Sequence, residues 1–297
     1  MAIADILVCT DPTTAGEGRL KLALALARAH RAHLSACYIM PEEHRGLIGA
    51  GIVGARVIPA TGMAGIAETL TPGIDPAAAA VPQLGPEAES ADVAEQRFIS
   101  ELRLCGLDGD WLTFSPGEMA AFIELAKTVD FTILGQMPAN HRSNGFRPED
   151  VVVGAARPVL VIPYAGVFET VGRRALVAWD GTREAVRAVN DALPLLGEAE
   201  AVTVMYVGGQ GASLDQHRPS LERIVQHLVR HGIPAKPEET LKGDLAVSDV
   251  LLSRAADLAA DLIVAGAYHH SQLREALMGG VSRELLEHMT VPILMSH

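Results

Sequence analysis

The chain has 297 residues, 49% hydrophobic and 4% aromatic, long and apolar enough for two ordinary folded domains rather than a disordered polymer. Its 36 acidic and 24 basic residues leave a formal net charge of −12, which repels a nucleic-acid backbone, and the few aromatics offer no stacking platform for single strands. Three cysteines, Cys9, Cys37 and Cys105, form no CxxC or Cys/His cluster and sit in apolar surroundings, which predicts reduced, buried thiols in a cytoplasmic protein.

The N-terminal MAIADILVCTD has no basic region and turns acidic at once, unlike a signal peptide. No apolar run reaches the ~18 residues of a membrane span, so no transmembrane segment is expected. The run 4-ADILVCTDPTT-14 reads as a strand ending on Asp11. An amphipathic helix over Leu20, Leu22, Leu24 and Leu26 follows, then a strand, 34-LSACYIM-40.

Next comes a Gly/Ala/Pro-rich stretch, about 41–85, with no sustained period. It contains a literal GxGxxG at Gly49, Gly51 and Gly54. No strand precedes it and Pro59 blocks a following helix, so it is read as part of a flexible insert rather than a dinucleotide turn. The segment 46–67, charged only at Arg56, is a candidate apolar surface for a partner or a membrane. The first half closes with strands at Phe131–Gly135 and 157-RPVLVIP-163.

The chain then repeats itself. The strand 173-RRALVAWDGTR-183 ends on Asp180, a helix over Ala185, Val186, Val189, Ala192 and Leu193 follows, and 201-AVTVMYV-207 is the next strand. Asp261–Gly266 parallels Phe131–Gly135, and 290-TVPILMS-296 parallels 157-RPVLVIP-163. Each copy reads as strands alternating with helices, and the strands are continuous apolar runs, as in parallel sheets covered on both faces. The expectation is an α/β protein of two tandem Rossmann-like domains, each a five-stranded parallel sheet with helices on both faces. The boundaries are 1–165, carrying the 41–85 insert, and 172–297. The last strands, Val159–Ile162 and Ile293–Met295, are the expected contact edge, making an intramolecular pseudo-dimer about an approximate two-fold; homodimerisation is left open.

In such folds a ligand sits beyond the strand carboxyl ends, where Asp180 and Gly266 both lie. Downstream of Gly266 come His269, Gly279, Gly280, Val281 and Ser282. Glycines let a phosphate approach the backbone, and the helix starting at about Ser282 favours negative charge at its N-terminus. The plainer reading is a Gly-rich turn with Ser282 as an ordinary helix cap. His227 and His231, four apart on a helix, lack a third metal ligand, and adjacent His269 and His270 chelate poorly. No metal site, Walker A loop or nucleophile elbow is expected.

The arrangement G-x2-H-x9-G-G-V-S resembles the universal stress protein family, whose nucleotide-binding members carry G-x2-G-x9-G-[S/T] after the fourth strand. The resemblance covers essentially the whole chain as two tandem domains and implies the adenine nucleotide alpha hydrolase-like fold, with ATP across the carboxyl edge of the sheet. Gly266 and Gly279 match motif glycines, whereas His269 and Gly280 stand where the family has glycine and Ser/Thr. By the same resemblance Asp180 faces the ribose and the Val207 backbone faces adenine. After Gly135 the first copy loses the spacer glycines and has Pro138, Pro148, Glu149 and Asp150, so it reads as a degenerate copy. The implied function is binding of ATP or another adenine nucleotide, with Mg2+ as an accompanying ion, by the second domain. An as yet unidentified protein partner would read its occupancy in a stress or regulatory response. A slow ATPase or phosphotransferase, and a nucleotide-free interaction module, are the alternatives.

Overall fold

A computed structural model of the chain describes residues 3–11, 13–39, 54–58, 86–115, 117–137, 147–209, 214–267 and 280–297. The first half runs β1 (Asp5–Thr10), α1 (Thr14–His30), β2 (His33–Ile39), β3 (Gly54–Ile58), α2 (Pro86–Cys105) and β4 (Gly109–Phe114). It continues through α3 (Met119–Ala126), β5 (Phe131–Gly135), α4 (Pro148–Ala155) and β6 (Val159–Ile162). The second half runs β7 (Arg174–Ala178), α5 (Arg183–Leu196), β8 (Ala201–Gly208), α6 (Leu214–Arg230) and β9 (Ala235–Leu241). It ends with α7 (Val247–Asp257), β10 (Leu262–Gly266), α8 (Gly280–His288) and β11 (Ile293–Ser296).

The strands form one sheet in the order β3-β4-β2-β1-β5-β6-β11-β10-β7-β8-β9. Each half contributes five parallel strands in the same connectivity, β4-β2-β1-β5-β6 and β9-β8-β7-β10-β11. The halves meet as expected: β6 pairs antiparallel with β11, Leu160 opposite Leu294, so each covers the other's open edge. An antiparallel junction between two equivalent parallel sheets relates them by an approximate two-fold axis.

The period of two along β1 sorts its side chains between two cores: Ile6 and Val8 pack with α1 and α2, whereas Leu7 and Cys9 pack with α3 and α4. In the second half α5 and α6 share the first face and α7 and α8 the second. Ile6, Leu7 and Val8 are all at 0% exposure, and burying each such side chain contributes about 1.5–3 kcal/mol. Both faces are therefore dry, which is why the strands are uninterrupted apolar runs.

The 41–85 stretch departs in part from the expected flexible insert. Gly54–Ile58 forms β3, antiparallel to β4 from Gly54 opposite Thr113 to Ile58 opposite Gly109. An edge strand needs only one partner, and the proline after Ile58 cannot donate to a ladder. Gly54 thus opens a strand, not a helix, while Gly49 and Gly51 and most of 46–67 lie outside the described residues. No helix among the described residues is long and apolar enough to cross a membrane.

Candidate functional site

Both halves turn out of their first strand in the same way. Asp180 Oδ1 accepts from the Thr182 N–H at 3.0 Å and the Thr182 hydroxyl at 2.6 Å. Thr182 then caps α5 by accepting from Ala185 N–H at 3.3 Å. In the first half Asp11 holds Thr13, and Thr13 accepts from Gly16 N–H at 3.0 Å. The second oxygen of Asp180 has no hydrogen-bond partner among the described residues, and Asp180 lines a cavity of about 460 Å³. The Asp180 charge, after burial as the larger cause, raises the Tyr206 hydroxyl above its ordinary value; the Tyr206 ring stacks on His217, centroids 4.2 Å apart.

The cavity lies at the carboxyl ends of β7, β8 and β10, where the connections after the neighbouring strands β7 and β10 leave for opposite faces of the sheet. Six of the eight expected site residues line it. Gly266, Gly280, Val281 and Ser282 line this cavity together with Asp180 and Val207. His269 and Gly279 lie outside the described residues, as does Pro138 of the first half. Unforeseen were the apolar walls: Val247 and Leu251 from α7, Leu285 from α8 and Met205 from β8. Their signal was the apolar pair four apart on α7, which in sequence is indistinguishable from ordinary core.

Val207 enters through its backbone. Trp179 N–H donates to Met205 O at 2.9 Å, so Met205 points its backbone groups toward β7. Two residues on, Val207 points the same way, but β7 has ended at Ala178. Its N–H and C=O therefore present an adjacent donor and acceptor to the cavity, unpaired by any strand among the described residues.

Gly266 permits a close approach. A Cβ there would lie 2.5 Å from Ala185 N and 2.6 Å from the Glu184 carbonyl carbon, so the first turn of α5 sits directly on the end of β10. The helix expected from Ser282 opens two residues earlier, at Gly280, which places Ser282 within the first turn rather than at the cap. Glycine is cheap at a helix start, where the first N–H groups have no intrahelical acceptor in any case. Those N–H groups and the positive end of α8 face the cavity.

In the first half a side chain of the protein reaches the corresponding strand ends. Three residues beyond each helix-capping contact, α1 carries Arg19 where α5 carries Ala188. Arg19 is 5% exposed, donates from Nε to Cys9 O at 3.1 Å and pairs through Nη2 with Asp11. Its Nη1 would lie 2.4 Å from a Cβ on Gly135, the counterpart of Gly266. Beneath, Phe122 and Phe114 meet edge to face at 5.9 Å, where α7 offers the smaller Leu251. The helix that follows opens on Pro148, with Glu149 and Asp150 in its first turn. The first half does hold a cavity of about 390 Å³, but it lies between α1 and α2, on the opposite face from α3 and α4.

Cys9 and Cys37 are buried register partners on β1 and β2; burial pushes Cys9 up to about 12 and Cys37 well above its ordinary value. Cys105, also expected to be buried, is only half-buried at the end of α2. His227 and His231 make an edge-to-face ring contact at 4.6 Å, and no group of three or more potential metal ligands occurs among the described residues.

Residues 172–297 match the sequence model of the Universal stress protein family. No curated protein matches the chain. Among solved structures it is similar to a universal stress protein from Archaeoglobus fulgidus, with 14% identity, a TM-score of 0.67, and 98% of this chain and 95% of that one covered. It is also similar to a functionally unknown protein from Pseudomonas aeruginosa, with 18% identity, a TM-score of 0.61, and 99% and 92% covered. At these identities the structural likeness is one of fold. The second half of the chain thus matches the sequence model of the Universal stress protein family, and the first half repeats the same α/β fold.

Proposed function

We propose that the protein binds one adenine nucleotide, ATP in the first instance, in the cavity of its second half. The observation that carries this is the convergence of three unlike groups on one cavity: a carboxylate oxygen of Asp180, the unpaired Val207 backbone pair, and the first N–H groups of α8. The adjacent N–H and C=O of Val207 complement the acceptor and donor on the Watson–Crick edge of adenine. Asp180 accepts from a ribose hydroxyl, which is neutral and loses nothing by meeting a carboxylate. The α8 N-terminus and the close backbone at Gly266 receive the phosphates. The Val247, Leu251 and Met205 walls enclose the base, and the volume is in the ~300–1,000 Å³ range of small-molecule sites.

Support for the second half comes from Arg19, which in the first half lies against Gly135 and Asp11, and from the larger Phe122 where α7 has Leu251. Proposed boundaries are 1–165 and 172–297. Mg2+ would accompany the phosphates rather than be held by a protein ligand set. In the cytoplasm, occupancy would alter a surface that a protein partner reads in a stress or regulatory response.

The test is equilibrium titration of ATP and GTP into the full chain, with the same samples followed over time for ADP. The expected result is one ATP per chain, with GTP weaker because its Watson–Crick edge reverses the acceptor and donor that Val207 meets. Failure to bind any adenine nucleotide overturns the proposal, and steady ADP production would move it to the ATPase reading.

A further inference from the structure

The helix that opens the proposed site is short, nine residues, and a helix of that length has little stability of its own. What holds α8 decides where its N-terminal N–H groups point. From within its own half, the buried Ser248 of α7 donates to Glu284 at 2.5 Å. The other end is held from the opposite half. Gln136, 7% exposed, follows β5 and donates from Nε2 to Leu286 O at 2.9 Å and Glu287 O at 3.1 Å. Its Oε1 accepts from Tyr164 N–H at 3.2 Å. One amide thus joins three segments: the end of β5, the connection between the halves, and the last turn of α8. The partners fix its orientation, since a flipped amide would set its oxygen against two carbonyls.

The contact is not a consequence of the repeat. Gln136 N–H donates to Ile162 O, and at the same place in the second half Ala267 N–H donates to Ser296 O. Where one half has a glutamine reaching across the junction, the other has alanine. The reverse contact across the junction, Arg187 of α5 to Ala156 O at the end of α4, uses a different position and holds a helix of the first half.

We propose that Gln136 is a positioning residue for the nucleotide site of the second half, through which the first half sets the placement of α8. This rests on the reading of that site given above. The first half then acts on the site of the second: it carries the abutment for the phosphate helix. By linkage, nucleotide held at one end of α8 steadies the contact at the other and the segment at Tyr164 tied to it.

The experiment compares wild type, Gln136→Leu, Gln136→Glu, Gln136→Lys and Arg187→Ala by calorimetric titration of ATP, denaturant unfolding, and hydrogen exchange of the α8 amides without nucleotide. Leucine removes the donors at similar size, and glutamate removes them while keeping a polar, hydrated side chain should leucine fail to fold. Both are expected to weaken ATP binding roughly 3- to 30-fold and to speed α8 exchange. Lysine restores a donor, and a cation suits a helix C-terminus, so it recovers most of the affinity. Arg187→Ala removes the other side-chain contact described across the junction and lowers stability while leaving ATP affinity unchanged. Unchanged affinity in both Gln136→Leu and Gln136→Glu, an equal loss in Arg187→Ala, or no recovery with lysine overturns the proposal. If wild type takes up no ATP, the nucleotide reading fails by itself. The exchange data then decide the mechanical link: faster α8 exchange on losing Gln136 but not Arg187 supports it, and no difference overturns it.

Discussion

Asp180 and Asp11 end equivalent strands, make the same contact to a threonine two residues on, and should respond oppositely to removal. Asp180, which lines the cavity, keeps one oxygen without a partner among the described residues, whereas both oxygens of Asp11 are engaged, one by Thr13 and one by Arg19. A hydrogen bond from a ribose hydroxyl to a charged acceptor is worth about 1.5–3 kcal/mol, so Asp180→Ala should weaken ATP binding roughly ten- to a hundredfold. Asp11→Ala should leave affinity unchanged and cost stability. Breaking a fully buried ion pair costs about 3–5 kcal/mol. Asp11 is 32% exposed, so water reaches the vacated side, and Arg19 keeps its bond to Cys9 O; a loss of about 1–3 kcal/mol is expected. Calorimetric titration gives the affinities and urea unfolding the stabilities. Loss of ATP binding on removing Asp11, or none on removing Asp180, would refute the assignment of the two halves.

Gly266→Ala drives a Cβ into the backbone of α5 and should cost about 1–3 kcal/mol in urea unfolding, whereas Gly280→Ala, whose Cβ meets nothing nearer than Glu284 Oε1 at 3.9 Å, should cost nothing. Maleimide labelling of the folded protein should modify Cys105 alone, because the thiolates of Cys9 and Cys37 are suppressed by burial; rapid labelling of either would contradict their packing. The hydrogen bond that His33 donates to Asp110, 3.1 Å away, raises His33 above its ordinary value, with burial opposing it and the Asp110, Asp5 and Asp108 charges assisting. A raised folded value means the stabilisation is fully present below about pH 6.5 and is lost as the pH rises through the folded value. With both partners about a third exposed, its size is at most about 1 kcal/mol, and His33→Gln should flatten the unfolding free energy across that window.

The architecture was legible because parallel strands buried on both faces leave continuous apolar runs, and two such runs stopping on aspartate exposed the repeat. The junction of Val159–Ile162 with Ile293–Met295 was legible for the complementary reason, that two bare sheet edges in one chain have each other as partner. β3 escaped because an edge strand of five residues carries little pattern and sits among glycines. The polar half of the site could be read from residue types that act locally, Asp180 through its turn and Gly266 through its missing side chain. Arg19 and Gln136 could not, because a buried polar side chain is explained only by what it meets: Cys9 O and Asp11 for one, the end of α8 for the other. Leu20, Leu22, Leu24 and Leu26 mark α1 as amphipathic without revealing that the arginine beside them turns inward.

The most direct test is a crystal structure of the chain grown with a non-hydrolysable ATP analogue and Mg2+. The account predicts one nucleotide per chain, with its base against Val207, its ribose at Asp180 and its phosphates at the first turn of α8, and with Arg19 still on Asp11 in the other half. Nucleotide in the first half with Arg19 displaced, or density away from the Asp180 cavity, would contradict it.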